Sequence, residues 1–137
     1  MKKKFSPAWK SSSQVRKQRK YVYNAPLHVK QKLVSAHLSK ELRKKHGIRA
    51  LSLRAGDEVI VQRGNFKKRK AKVTEVDLLK KRVTLENVTR QKKDGSKIPV
   101  FFDASNLLLI SITGEDKKRL KPTKKEDKNA SDKISSK

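Results

Sequence analysis

Hydrophobic residues settle into alternate positions from Leu51 to Thr113, and that confinement decides where this chain can build a core. Asp57-Glu58-Val59-Ile60-Val61 runs into a turn at Arg63-Gly64-Asn65, after which Ala71-Lys72-Val73-Thr74-Glu75-Val76-Asp77 alternates. Arg82-Val83-Thr84-Leu85-Glu86-Asn87-Val88 alternates again. An Asp94-Gly95 turn signal, Ile98-Pro99-Val100-Phe101-Phe102 and Leu107-Leu108-Leu109-Ile110 complete the stretch. Successive strand residues point to opposite faces. The expected core is therefore Val59, Val61, Val73, Val76, Val83, Leu85, Val100, Leu107 and Leu109. Pro99 has no N–H for a ladder, so its strand belongs at an edge or begins there. Five short strands joined by turns predict a mainly β fold, a small antiparallel barrel over residues 51–113.

The flanks have a different make-up. The 137-residue chain is 34% hydrophobic and 37% charged, against roughly 45–50% apolar in an ordinary domain. A small folded unit with polar extensions is expected rather than one core over the whole length. Residues 1–20 mix Lys and Arg with Ser11-Ser12-Ser13 and show no apolar period, which reads as a basic extended arm that orders on a partner. Its aromatics Phe5 and Trp9 could stack on a base or anchor loosely against the protein.

Residues 21–50 read as two short helices. In the first, Asn24 can cap, Pro26 suits a first turn, and Leu27, Leu33 and Val34 mark an apolar side. The second starts at Ser39, carries Glu41 in its first turn, and ends in Arg43-Lys44-Lys45-His46 before Gly47. Residues 114–137 are rich in Lys, Asp and Ser and contain Pro122, the composition of a disordered tail after one helical turn near Asp116 to Leu120.

Catalytic chemistry is missing. His28, His37 and His46 are spaced nine residues apart, which is no metal-ligand spacing on one element. The 5 glycines make no phosphate cradle, since Gly64 opens a turn between strands and not a helix. Asp57, Glu58, Glu75, Asp77 and Glu86 sit among cations, where ion pairing is their expected use. Neither an enzyme nor a cofactor is expected. The chain has no cysteine, hence no disulfide or thiolate metal site. No apolar run approaches the roughly 20 residues of a membrane span, and the basic start leads into no apolar stretch, so a secretory signal is not expected.

What remains is charge. The formal net charge is +25, and residues 1–50 alone hold 15 basic residues against one acidic. Self-repulsion of that size opposes compaction and calls for a polyanion. Nucleic acid and an anionic membrane surface both qualify, but Leu27, Leu33 and Val34 are too few for a membrane-binding helix face.

Two blocks of sequence carry a resemblance. Gly56 to Lys67 (GDEVIVQRGNFK), followed by Lys72-Val73 and Val76-Asp77, resembles the KOW motif, a strand–loop–strand unit of SH3-like barrels. Tyr23-Asn24-Ala25-Pro26-Leu27-His28, Ser35 to Arg43 (SAHLSKELR) and Arg49 to Asp57 (RALSLRAGD) look like the archaeal and eukaryotic form of universal large-subunit ribosomal protein twenty-four, called twenty-six in eukaryotes. Asp94-Gly95-Ser96-Lys97-Ile98-Pro99-Val100 and Ala104-Ser105-Asn106-Leu107-Leu108 fit the same form, and the match runs from about Arg16 to Thr113. Where the motif usually has glycine, this chain has Lys68 and Ala71, which implies a different loop shape.

The resemblance implies an SH3-like barrel in a cytoplasmic protein of the large ribosomal subunit. Such a protein binds the 5′ region of the large-subunit rRNA early in assembly and lies near the exit of the peptide tunnel. Its partners would be that rRNA and neighbouring ribosomal proteins, with no small-molecule substrate, membrane or self-association. The alternative is a KOW-type accessory factor that binds RNA or polymerase, but residues 1–50 are too short and basic for the α/β domain that precedes KOW in those factors. Three regions are the candidate RNA contacts. They are Lys10, Arg16, Lys17, Arg19 and Lys20 in the arm; Lys30, Lys32, Arg43, Lys44 and Lys45 in the helices; and Arg63, Asn65, Phe66, Lys67, Lys68, Arg69 and Lys70 in the loop. Phe66 would stack on a base or close the loop.

Overall fold

The computed structural model describes residues 5–114 and 119–120, with Trp9 and Lys10 described by backbone alone. The expectations for a disordered tail, for the Trp9 ring and for the Lys10 ammonium lie outside the described residues.

Three helices, not two, precede the main strands. After a 3-10 turn at Pro7–Ser11 come α1 (Val15–Asn24) and α2 (Leu27–Leu33), and α3 (Lys40–His46) follows later. The extended arm is thus helical from Val15. Lys, Arg and Gln are good helix formers, and the run Arg16 to Lys20 is polar throughout, which leaves no apolar period to read there. Gln18 Nε2 donates to the Ser12 carbonyl, and the Phe5 ring lies 4.9 Å from that of Tyr21, so the arm folds onto itself and Phe5 takes the anchoring role. Asn24 ends α1 instead of capping, and Pro26 is the N-cap of α2. Leu27 and Leu33 face solvent, while Val34, just past α2, is buried. Helix α3 is capped as its sequence predicts: Leu42 N–H donates to Ser39 Oγ at 3.3 Å, and Gly47 takes the left-handed C-cap, its N–H bonded to Arg43 O.

Between α2 and α3 lies a strand the sequence did not announce, β1 (Ser35–Leu38), followed after α3 by β2 (Ala50–Ser52). The expected strands are β3 (Glu58–Val61), β4 (Lys70–Asp77), β5 (Arg82–Gln91), β6 (Lys97–Asp103) and β7 (Leu107–Ser111). All seven form one sheet in the order β2-β1-β7-β3-β4-β5-β6. The purely antiparallel arrangement is corrected at one place, because β1 and β7 pair in parallel, His37 with Leu108 and Leu38 with Leu109. Register shifts fall between Val73 and Glu75 in β4 and between Thr84 and Thr89 in β5. Such irregularities sharpen strand twist and let one strand serve two sheet planes. Pro99 lies on β6, an edge strand, as its missing donor requires.

One hydrophobic cluster results. Val59, Val61, Val73, Val83, Leu85, Leu107 and Leu109 are buried as expected, and Val76 and Val100 pack partly buried against them. Val34, Ala36 and Leu38 join the same cluster, so the most basic third of the chain contributes to the core through β1. Asp57 is fully buried as well.

Candidate nucleic-acid interface

The β3–β4 connection is held as a closed loop. Val59 pairs with Ala71 and Ile60 with Lys70. Beyond them the Lys68 N–H donates to Val61 O at 2.8 Å, and the Val61 N–H to Arg69 O at 3.0 Å. Inside this clamp the Lys67 N–H bonds to Gly64 O and the Arg69 N–H to Phe66 O. Gly64 supplies a positive φ of 91°. Lys68 supplies another, 69°, so it adopts the left-handed backbone that a glycine would take freely. Ala71 sits in the regular β3–β4 ladder and needs no such freedom. At the two positions where the motif usually has glycine, Lys68 thus carries the left-handed backbone itself and Ala71 stands in a regular ladder.

Arg63, Asn65, Lys67, Lys68, Arg69 and Lys70 are all exposed on this frame. Arg63, Lys67 and Lys68 line one shallow groove with Gln62 and Leu108. Arg69 is held in place, since its Nη2 donates to the Asn87 carbonyl at 2.7 Å, on the irregular part of β5 where Asn87 has φ 58°. Phe66 is half-buried, edge-on to Phe102 at 6.0 Å. Of the two roles open to it, loop closure is the one its packing serves.

The other candidates sit on separate elements. On α1, Arg16, Arg19 and Lys20 follow helical spacing and share a side with Tyr23, which is 82% exposed. Lys17 lies off that side but is also exposed. Lys30 and Lys32 occupy the last turn of α2, and Lys32 borders a different groove, beside Arg54 and Arg119. Arg43 is partly committed to the fold, because its Nε donates to the Leu38 carbonyl at 2.7 Å. Lys44 and Lys45 remain exposed beside it on α3.

The sequence reading missed Arg119. Its guanidinium is almost fully buried against Asp57, and its place in a Lys-rich stretch beyond the last strand carries no local sign of that. Phe101 and the cations of the β5–β6 hairpin also stand outside the three candidate regions. The adjacent pair Phe101-Phe102 was a usable signal, since a strand can turn only one of two neighbours to the core.

Acidic residues serve turns on this surface. Asp77 Oδ1 accepts the N–H groups of Leu79 and Lys80, and the Lys80 bond above all holds its carboxyl below the usual range. Asp94 is lowered likewise, first by the Ser96 hydroxyl and then by the Ser96 N–H.

The family model for the ribosomal proteins called L26 in eukaryotes and L24 in archaea matches residues 12–125. The chain belongs to this family. It is 41% identical over 109 residues to the Large ribosomal subunit protein uL24 of Sulfolobus acidocaldarius, covering 80% of this chain and 81% of that one. As a member of the family it is a ribosomal protein of the large subunit, part of the cytoplasmic ribosome, and a structural protein rather than an enzyme. The family block from Ser35 to Arg43 now has a structural meaning, since it contains β1, the Ser39 cap and the Arg43–Leu38 bond.

Proposed function

We propose that this chain binds large-subunit rRNA, engaging the 5′ region early in subunit assembly and lying near the exit of the peptide tunnel. Neighbouring large-subunit proteins are its other partners, and it does not self-associate. In this reading Gly56 to Asp77 is a KOW unit within an SH3-like barrel, and the β3–β4 loop faces RNA.

One observation carries the proposal. Arg63, Lys67, Lys68, Arg69 and Lys70 are presented on a backbone already closed by the Lys68–Val61 and Val61–Arg69 bonds, with no carboxylate in the loop. A backbone closed in this way adds little ordering cost of its own when the side chains meet phosphates, and the release of counterions drives the association. Exposed Arg16, Arg19, Lys20, Lys44 and Lys45 extend the basic surface over the helices. Recognition would follow RNA shape, 2′-hydroxyls and unpaired bases more than sequence.

Sedimentation of ribosomes through a high-salt cushion tests the reading. The chain is expected to travel with the large subunit. Its appearance in the supernatant at modest salt would defeat the proposal.

A further inference from the structure

The β5–β6 hairpin bears an aromatic and basic surface that the candidate regions above do not use. Phe102 is buried, while its neighbour Phe101 is 49% exposed on the opposite face of β6. Thr84 stands opposite Phe101 and Arg82 opposite Asp103, which sets Arg82 diagonal to Phe101. The Arg82 guanidinium carbon lies 6.0 Å from the centre of the Phe101 ring. Both border an open groove of about 760 Å³ that Pro99, Arg90, Lys92 and Lys93 also line. Asp94 also lines it, but its carboxylate already accepts from the Ser96 hydroxyl at 2.6 Å and the Ser96 N–H at 2.9 Å.

We propose that this groove binds a single-stranded RNA segment, with an unpaired base on Phe101 beside the Arg82 guanidinium and adjoining phosphates on Arg90, Lys92 and Lys93. A half-exposed ring with a guanidinium over one face is a platform on which a base can stack at the other. The cations along the same groove supply the complement to a phosphate backbone. Duplex RNA offers the phosphates but hides the base faces. A run of acidic side chains offers carboxylates but no aromatic face for Phe101, and Pro99 removes a donor from the β6 edge where an added strand would pair. The site shares no lining residue with the groove of the β3–β4 loop and rests on the RNA-binding reading given above.

The test titrates the full chain into a fluorescein-labelled single-stranded RNA octamer of mixed sequence and into a duplex of the same length at fixed salt. Phe101→Ala is expected to weaken single-strand binding about 5- to 150-fold, as one stacked base would, and to leave duplex binding within a factor of about two. Phe101→Trp is expected to keep single-strand affinity, which separates stacking from damage to the fold. Lys67→Gln with Lys68→Gln is the control for the parent reading. If that pair weakens both RNAs while Phe101→Ala changes neither, the groove proposal is overturned and the loop reading stands. If no variant changes affinity, both fall. Binding of an octaglutamate peptide that competes with the RNA and is lost in Phe101→Ala would also overturn the proposal, in favour of an acidic protein partner.

Discussion

Arg119 reaches back across 62 residues of sequence to close two hydrogen bonds on the buried carboxylate of Asp57, Nη1 to Oδ1 at 3.1 Å and Nη2 to Oδ2 at 2.5 Å. The same carboxylate accepts the Arg54 N–H at 2.9 Å and the Thr113 N–H at 3.3 Å. Asp57 therefore joins the entry to β3, the exit of β7 and a residue beyond it. Gly56 completes the junction, since it holds φ +90° and a Cβ there would stand 3.2 Å from Thr113 Oγ1.

Removing one partner of a buried pair strands the other charge, which costs about 3–5 kcal/mol. Arg119→Ala is expected to destabilise the chain by that order, and Asp57→Ala by at least as much, because two backbone donors lose their acceptor too. Urea unfolding of both variants and of the double variant measures this. A loss below about 1 kcal/mol for Arg119→Ala would show that the pair is only a surface contact.

Lys68 invites the opposite change. A left-handed non-glycine residue costs about 1–2 kcal/mol, and a glycine costs about 0.5–1 kcal/mol in extra freedom of the unfolded chain. Lys68→Gly should therefore stabilise the fold by about 0.5–1 kcal/mol, read as a higher denaturant midpoint. A lower midpoint would mean that the Lys68 side chain contributes more than its backbone costs.

The same loop makes a prediction about salt. Neutralising Lys67 and Lys68 together should reduce the slope of log affinity for rRNA against log salt by about 0.7–0.9 for each phosphate no longer neutralised. Arg69→Gln should do so and also loosen the loop, because its bond to the Asn87 carbonyl goes. An unchanged slope across the three substitutions would move the interface elsewhere.

Acid tests the turn after β4. The Asp77 carboxyl sits below its ordinary value of 3.8 because the Lys80 and Leu79 N–H groups favour the ionised form. A lowered folded value gives stability that is present above pH 3.8 and lost as pH falls through the folded value. Melting temperatures of the parent and Asp77→Asn, measured from neutral to strongly acid pH, should differ most at neutral pH and converge on acidification. A gap that stays constant with pH would remove the ionised carboxylate from the explanation.

Much of this fold was legible locally. Val59 with Val61, Val83 with Leu85 and Leu107 with Leu109 alternate because each strand keeps one face in the core. Ser39 and Gly47 announce α3 because capping is chemistry within a few residues. The basic loop at Arg63 to Lys70 could be found from charge and turn residues together. Helix α1 could not, since Arg16 to Lys20 are all polar and, Val15 aside, its apolar side chains are bunched at Tyr21, Val22 and Tyr23.

The sequence by itself determined the strand faces, the α3 caps, the edge position of Pro99 and the demand for a polyanion. Tertiary structure alone decided that Ser35–Leu38 becomes a strand, that it lies parallel to β7, that Arg119 pairs with Asp57, and that Phe101 meets Arg82 across the hairpin. The physical reason is range. Periodicity and capping record interactions among residues a few positions apart, whereas parallel pairing and a buried ion pair join distant segments whose only common feature is the place where the folded chain brings them together.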